Sequence, residues 1–270
     1  MFVPIGNTCP SFKEFTLIMY IAQCRPFQQP AVSVGNVGQL ATDLMISTLN
    51  MPRVGYLHTD CLIPMVGSNP YAASTDNSTE LCTAAEVYSL PDLKLAALQI
   101  RTPIIQTKQK QFRKLIISWI KSSGFTRSIL LSSSHAYQRD DQQIHSSPLR
   151  YLLTPAMQHI VCDVLKELEW KEMERVSMFP GISDTEQRLY IPGGGITKGL
   201  YTDCCHEDIP LAVVLTFCSE GDNIPDAFAL INHLNDWLHL VASDKNESTK
   251  WRAPCSWRLL FGSGIPPALF

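Results

Sequence analysis

Residues 31–40 read AVSVGNVGQL, and this stretch decides the fold. It begins with a short run rich in β-branched side chains, which Gly35 and Gly38 interrupt before a helical pattern begins. Apolar residues then recur at helical spacing over residues 39–49. Residues 54–57 predict a second strand. The stretch therefore predicts a strand, a glycine turn, a helix and a strand, which together form a βαβ unit.

The same alternation continues along the rest of the chain. Its pattern predicts a hairpin over residues 86–100, helices over 108–122, 157–170 and 224–240, and strands over 128–132 and 211–218. Ile160, Val161, Val164 and Leu165 are expected to face the core. The predicted fold class is α/β, a three-layer α/β/α sandwich with a largely parallel central sheet, similar to phosphorylase and Rossmann folds. We expect a single domain over residues 1–270, with a flexible C-terminal tail at 262–270.

The composition favours a protein partner over a nucleic acid. Lys and Arg number 22 and Asp and Glu number 25, so the net charge is −3 and no basic surface is expected to attract nucleic acid. Charged residues make up 17% of the chain, below the roughly 25% of an average domain. A surface poor in charge is well suited to being covered by another protein. No unbroken apolar run in the sequence is long enough for a membrane span.

The cysteines indicate a reducing compartment. There are nine at irregular spacing and no CxxC pair, so we expect free thiols rather than a zinc site or a disulfide framework. Residues 1–6 lack the basic and small-residue features of a signal peptide. We therefore expect a protein of the cytoplasm and nucleus.

Two glycine-rich loops invite comparison with nucleotide-binding loops. Gly35-Asn36-Val37-Gly38 lies between a predicted strand and a predicted helix, where a dinucleotide fold holds its phosphates, but Ala41 takes the place of the third glycine. Gly193-Gly194-Gly195 comes before Thr197-Lys198, the reverse of the Walker order. We interpret the first loop as a tight turn with positive φ. The second is interpreted as a flexible or close-approach loop that lies at an interface.

The run Ser132-Ser133-Ser134-His135 ends a predicted strand, where a nucleophile and a base could be presented. The sequence has no GxSxG motif, and neighbouring side chains on a strand point to opposite faces. The other histidines form no HExxH or comparable ligand pair. We therefore expect no catalytic residue, no cofactor and no metal site, which favours a binding protein over an enzyme.

Six segments resemble sequences of the PAC2 family of proteasome assembly chaperones. They are residues 30–40, 59–62, 131–135, 191–198, 219–227 and 256–264. The resemblance implies a non-enzymatic chaperone that forms a heterodimer with proteasome assembly chaperone 1. It further implies that this heterodimer binds proteasome α-subunits, scaffolds the α-ring of the core proteasome and prevents off-pathway α-ring dimerisation. Neither a nucleic acid nor a membrane is implied as a partner.

Two places depart from the family pattern. Tyr20 to Gln29 separate the segment at 15–17 from the segment at 30–32, which we interpret as a loop insertion or a misplaced splice boundary. The C-terminal residues Ala268, Leu269 and Phe270 are apolar, with Leu where a proteasome-binding tail has Tyr. The resemblance implies that such a tail inserts into a pocket between α-subunits. The alternative is that it folds back onto the core of its own chain.

Two other functions stay open at this point. A nucleoside- or amine-ligase-like enzyme would use the loop from Gly35 to Gly38 to hold its nucleotide. A homodimeric binding module would form a stable dimer from this chain alone. Stabilisation by a nucleotide would indicate the first, and a stable homodimer would indicate the second.

Overall fold

The computed structural model describes residues 1–6, 10–21, 34–73, 75–76, 78–177, 187–242 and 251–259. Over these residues the chain forms twelve β-strands and six α-helices. The strands are β1 (Phe2–Pro4), β2 (Thr16–Tyr20), β3 (Arg53–Leu57), β4 (Val66–Ser68), β5 (Leu81–Thr83), β6 (Ala85–Leu90), β7 (Leu95–Ile100), β8 (Arg127–His135), β9 (Leu149–Leu153), β10 (Arg175–Ser177), β11 (Gln187–Leu189) and β12 (Leu211–Cys218). The helices are α1 (Val37–Thr48), α2 (Gln109–Ser123), α3 (Asp141–Ile144), α4 (Pro155–Glu167), α5 (Thr197–His206) and α6 (Ile224–Leu238).

Eight of the strands form one sheet in the order β1-β3-β6-β7-β2-β8-β12-β9. Its middle strands β7, β2, β8 and β12 run parallel to one another. Antiparallel strands complete the sheet on both sides. The sheet is therefore mixed, with a parallel centre, and the predicted α/β class is confirmed.

Helices cover both faces of this sheet. On one face α2 and α5 bury Phe112, Ile116 and Leu200 against the strands. On the other face α1, α4 and α6 bury residues such as Leu44 and Ile231. Strands β2 and β12 are buried along their whole length, as expected for strands covered on both faces. The arrangement is the three-layer sandwich that the sequence predicts.

Several predicted elements match the structure closely. Strands β6 and β7 form the expected hairpin, in which Leu90 pairs with Leu95 across the turn at Pro91. Helix α2 ends at Gly124, whose φ of 73° is the left-handed conformation that glycine supplies at helix ends. Pro225 lies in the first turn of α6, where its missing N–H costs no hydrogen bond.

The predicted strand that begins the βαβ unit is wrong at its last residue, Val34. Among the described residues, the strand before α1 is β2, which lies at the centre of the sheet between β7 and β8. Val34 instead belongs to a short 3₁₀ turn, Val34–Asn36, while residues 31–33 lie outside the described residues. The TLIMY run of β2 has five apolar or β-branched positions but no flanking turn signal that marks it as a strand.

The proposed insertion from Tyr20 to Gln29 needs correction at its first two residues. Tyr20 is fully buried in β2 and pairs with Leu131 of β8, and Ile21 is also buried in the core. Tyr20 is therefore part of the central sheet rather than of a surface loop. Residues 22–29 lie outside the described residues, so the interpretation of that part as an insertion stays a prediction.

Three further features of the fold differ from the sequence prediction. Helix α4 ends at Glu167, three residues before the predicted end. Its residues Ile160 and Val164 are exposed, although they were expected to face the core. Val161 and Leu165 face the core as expected. The reason is that the buried stripe of α4 is narrow and follows the spacing of Met157, Val161 and Leu165. Strand β9 and helix α5 were not predicted at all.

The division of the chain into one domain with a flexible tail stays a prediction, because residues 262–270 lie outside the described residues. Within the described ranges, every helix is too short or too polar to cross a membrane.

Candidate functional site

Three motifs that the sequence singles out meet at one edge of the sheet. There, strands β8 and β12 end, and helices α1, α5 and α6 begin. The turn at Gly35, the loop at Gly193 and the strand end at Ser132–His135 all contribute residues to this edge, which we call the carboxyl edge. Open α/β folds bind their ligands at this position. The carboxyl edge is therefore the candidate functional site of the fold.

The Gly35 turn is closed by contacts within the chain. Gly35 has a φ of 66° and Asn36 a φ of 53°, so the prediction of a tight turn with positive φ is confirmed. A Cβ atom on Gly35 would lie 2.3 Å from the side chain of Asn223. The Asn223 amide in turn donates to Ser219 O at 2.8 Å and to Asp226 Oδ2 at 2.9 Å. The space beside Gly35 is thus filled by Asn223.

The glycine loop before α5 is a close-approach loop. Gly193 has a φ of 77° and Gly195 a φ of 65°. A Cβ atom on Gly193 would lie 2.5 Å from Val34 Cγ2 and 2.7 Å from the His135 ring. Gly194 is buried, and Gly193 and Gly195 are half-buried. The close approach of this loop is confirmed, and its place at an interface stays a prediction.

Serine hydroxyls at the end of β8 tie the two glycine loops together. Ser133 Oγ donates to Val34 O at 2.8 Å, and Ser134 Oγ donates to Pro192 O at 2.8 Å. Ser132 Oγ lies 2.8 Å from Thr197 Oγ1 at the start of α5. Because the hydroxyls of Ser133 and Ser134 donate hydrogen bonds to backbone carbonyls, they stabilise the structure of the carboxyl edge.

His135 and Cys218 complete the carboxyl edge from the ends of β8 and β12. The His135 backbone N–H donates to Pro192 O at 3.1 Å, and its ring lies 4.9 Å from the ring of Tyr137. Burial raises the pKa of Cys218 to about 12, so its thiol stays protonated at neutral pH. Its Sγ donates to Val34 O at 3.3 Å. A protonated, buried thiol is a poor nucleophile.

The outer rim of the carboxyl edge carries two exposed tyrosines, Tyr137 and Tyr190. Tyr190 lies just before the glycine loop, and its hydroxyl donates to Gln138 Oε1 at 3.3 Å. Tyrosine is enriched in protein interfaces because its ring is apolar and its hydroxyl forms hydrogen bonds. Neither tyrosine was predicted as a site residue, because no motif in the sequence marks them.

The other predicted site residues can be placed only in part. Ala268, Leu269 and Phe270 lie outside the described residues, so the docking of the tail stays a prediction. In the part of the chain that the structure describes, no three His, Cys, Asp or Glu side chains converge as a metal site would require.

We expect nucleotides to leave the thermal stability of the protein unchanged, because Asn223 fills the space beside Gly35 and Val34 and His135 fill the space beside Gly193. The test is a thermal melt with ATP, GTP or nucleosides. A nucleotide at a hundred times its dissociation constant would add roughly 2.7 kcal/mol to the stability of the folded state. A melting shift of that size would contradict this account of the carboxyl edge and would favour the ligase-like enzyme.

Comparison with known proteins assigns the chain to a family. The model of the PAC2 family matches residues 27–247. The chain is 68% identical to proteasome assembly chaperone 2 of Danio rerio and 56% identical to proteasome assembly chaperone 2 of Homo sapiens, in each case over 100% of both proteins.

Solved structures show the same fold at low sequence identity. Pyrococcus furiosus PbaA, described as an archaeal homolog of proteasome-assembly chaperone, matches with a TM-score of 0.61 and 15% identity, over 91% of this chain and 89% of PbaA. A Thermoplasma acidophilum protein of unknown function matches with a TM-score of 0.59 and 14% identity, over 87% of this chain and 79% of that protein. The family model and the full-length relatives agree, and the chain belongs to the PAC2 family.

Proposed function

We propose that this protein is a proteasome assembly chaperone. The observation that carries the proposal is its 68% identity, over the whole of both chains, to a Danio rerio protein of that name. Identity of 56% to the Homo sapiens protein and the fold shared with archaeal PbaA support the same function.

We further propose that the protein works without catalysis. Its carboxyl edge supports this proposal, because hydroxyls, glycines and the Cys218 thiol that could serve chemistry are engaged in contacts within the chain. The alternative of a nucleoside- or amine-ligase-like enzyme is not favoured, since its nucleotide loop would have to displace the side chain of Asn223.

The partner that we propose is proteasome assembly chaperone 1, in a heterodimer that binds proteasome α-subunits, scaffolds the α-ring and prevents α-ring dimerisation. The low fraction of charged residues, 17%, supports a partner-covered surface. Exposed apolar side chains such as Val66, Leu81 and Ile63 also support a surface that a partner covers.

We also propose that the protein acts in the cytoplasm and nucleus. The free thiols of Cys61, Cys204 and Cys218 support this proposal, because free thiols are typical of a reducing compartment.

Expression of the chain alone and together with proteasome assembly chaperone 1 tests the heterodimer. Subunits of obligate complexes often lack a stable folded form of their own. We expect the chain alone to be poorly soluble or self-associated, and the co-expressed pair to elute as one soluble complex in size-exclusion chromatography. A soluble, monodisperse monomer that ignores the second protein would contradict the proposal.

The C-terminal tail provides a separate test of α-ring binding. Pro266 and Pro267 restrict the backbone before Ala268-Leu269-Phe270, which reduces the entropy lost when the tail docks. Deleting residues 267–270 is expected to weaken binding to the α-ring while the heterodimer and its melting temperature stay unchanged. Phe270→Ala, which keeps the length of the tail, should weaken binding in the same direction. Undiminished binding of both variants, or a clear loss of thermal stability, would show that the tail does not dock.

A further inference from the structure

The two edges of the eight-stranded sheet differ in how they are covered. At the β9 edge the chain pairs with itself, because the Tyr151 N–H donates to Lys171 O at 3.0 Å and the Met173 N–H donates to Tyr151 O at 2.9 Å. At the opposite edge, β1 is the last strand among the described residues. An uncovered edge strand offers its backbone groups to another chain.

The pairing of β1 with β3 fixes which backbone groups are offered. His58 N–H donates to Met1 O, and Ile5 N–H donates to Val54 O, both at 2.9 Å. Backbone groups of an antiparallel strand alternate in direction, so residues 1, 3 and 5 face β3 and residues 2 and 4 face outward. The edge therefore presents the N–H and C=O of Phe2 and the C=O of Pro4, one donor and two acceptors at strand spacing.

Side chains next to this edge form an apolar surface. Val3 lines a cavity of about 460 Å³ together with Tyr56, Pro64 and Met65. Among the residues that the structure describes, no Lys, Arg, Asp or Glu lines this cavity. The neighbouring residues Ile63 and Val66 are exposed hydrophobic residues. An uncharged, apolar segment suits this lining.

A second cavity lies beside Phe2, the residue of β1 that precedes Val3. Phe2 lines a space of about 610 Å³ with Phe12, Leu115 and Trp119. Because consecutive side chains of a strand leave opposite faces, Phe2 and Val3 point to opposite faces of the sheet. In strand addition, backbone hydrogen bonds hold the added segment and pockets receive its alternating side chains. The edge of β1 has both features.

We propose that β1 is the edge at which the partner subunit adds an extended, uncharged apolar segment as a further strand of the sheet, an inference that rests on the proposed heterodimer. In the register centred on Val3, the backbone disfavours a second copy of this chain. Two copies of β1 paired antiparallel about Val3 would leave both Phe2 carbonyls unpaired, because Pro4 has no N–H. A partner strand without proline at that place satisfies all three outward groups.

Two valine substitutions of matched exposure test this proposal. Val3 on β1 is 43% exposed and Val164 on α4 is 40% exposed. Val3→Lys places a charge in the bound apolar surface, whereas Val164→Lys places it on a helix at another side of the molecule. Each variant is co-expressed with proteasome assembly chaperone 1, and the affinity of the pair is measured. We expect Val3→Lys to bind about tenfold more weakly or worse, and Val164→Lys to bind like the unmodified chain.

Two further measurements show whether a loss of binding comes from misfolding and whether binding involves pairing with β1. Val66→Lys alters an exposed side chain next in the chain to Met65, which lines the cavity beside Val3, and should weaken binding in the same direction, with its melting temperature unchanged. Nuclear magnetic resonance should show that hydrogen exchange of the Phe2 amide slows about tenfold or more in the complex, because that N–H gains an acceptor.

The outcomes separate the inference from the proposed function. If the unmodified chain binds proteasome assembly chaperone 1 and Val3→Lys binds equally well, the edge is not the interface and the inference is overturned while the heterodimer stands. Equal weakening by Val164→Lys, or a Phe2 amide that exchanges as before, also overturns it. If the unmodified chain alone forms a dimer that Val3→Lys dissociates, the occupant is a second copy and the inference is wrong. If the unmodified chain does not bind proteasome assembly chaperone 1 at all, the heterodimer fails and the inference fails with it.

Discussion

Replacing Asp43 with alanine is expected to lower the free energy of unfolding by about 3–5 kcal/mol, the cost of leaving a buried charge without its partner. Asp43 lies on α1, and its carboxylate is only 4% exposed. It accepts hydrogen bonds from Arg101 Nη2 at 2.7 Å, Gln99 Nε2 at 2.8 Å and Tyr71 Oη at 2.6 Å. The substitution removes an acceptor that three buried or half-buried donors share. Chemical denaturation in urea measures the loss.

Asp60→Ala provides the matched control. Asp60 pairs with Lys108 Nζ at 2.6 Å, as close a contact as that of Asp43 with Arg101, but its side chain is 66% exposed. Exposed ion pairs contribute little because water screens them. The urea midpoint of Asp60→Ala should therefore stay almost unchanged. If the two variants lose the same stability, burial does not make the Asp43 ion pair more stabilising than the exposed pair of Asp60 and Lys108.

Alanine at Gly193 is expected to destabilise the protein by about 3 kcal/mol, from left-handed backbone strain of about 1–2 kcal/mol and overpacking of similar size. The added Cβ would lie 2.5 Å from Val34 Cγ2 and 2.7 Å from the His135 ring. Both neighbours are buried, so neither can move aside without disturbing the carboxyl edge. Melting and urea unfolding of the purified variant give the size of the loss.

Gly6 separates the two contributions. Its φ of 80° nearly equals the 77° of Gly193, but a Cβ on Gly6 meets no heavy atom of the described residues within 4 Å. Gly6→Ala should therefore show the backbone strain alone, about 1–2 kcal/mol. Equal losses at Gly6 and Gly193 would show that the Gly193 loop does not pack against Val34 and His135 as described.

Local sequence signals account well for some elements and poorly for others. The hairpin of β6 and β7 and the helix α2 were predictable because turn residues and helical spacing mark them. Strand β9 was not, because Arg150 is the second of its five residues. That arginine is fully buried, and it is satisfied by Glu174, 24 residues later, with Nε–Oε1 at 2.9 Å. A charge that only a distant residue neutralises looks like a surface charge in the sequence.

The carboxyl edge shows the same limit for the candidate site. The sequence identified Gly35, Gly193 and the serine run as separate motifs, and each lies at this edge. The sequence could not show that these motifs pack against one another or against other parts of the chain. The contacts join residues far apart in the chain, such as Ser133 with Val34 and Gly35 with Asn223. Loops that would be open in a nucleotide-binding protein are closed here by tertiary packing.

The proposal that this protein assembles proteasomes as half of a heterodimer is tested most directly by the composition of its complexes in cells. The chain is expressed with an affinity tag, its complexes are purified gently, and their proteins are quantified by mass spectrometry. We predict proteasome assembly chaperone 1 in an amount equal to the chain, together with proteasome α-subunits, and the same complexes without α-subunits when residues 267–270 are deleted. Recovery of the full-length chain alone, or with proteins that include neither proteasome assembly chaperone 1 nor α-subunits, would contradict the account.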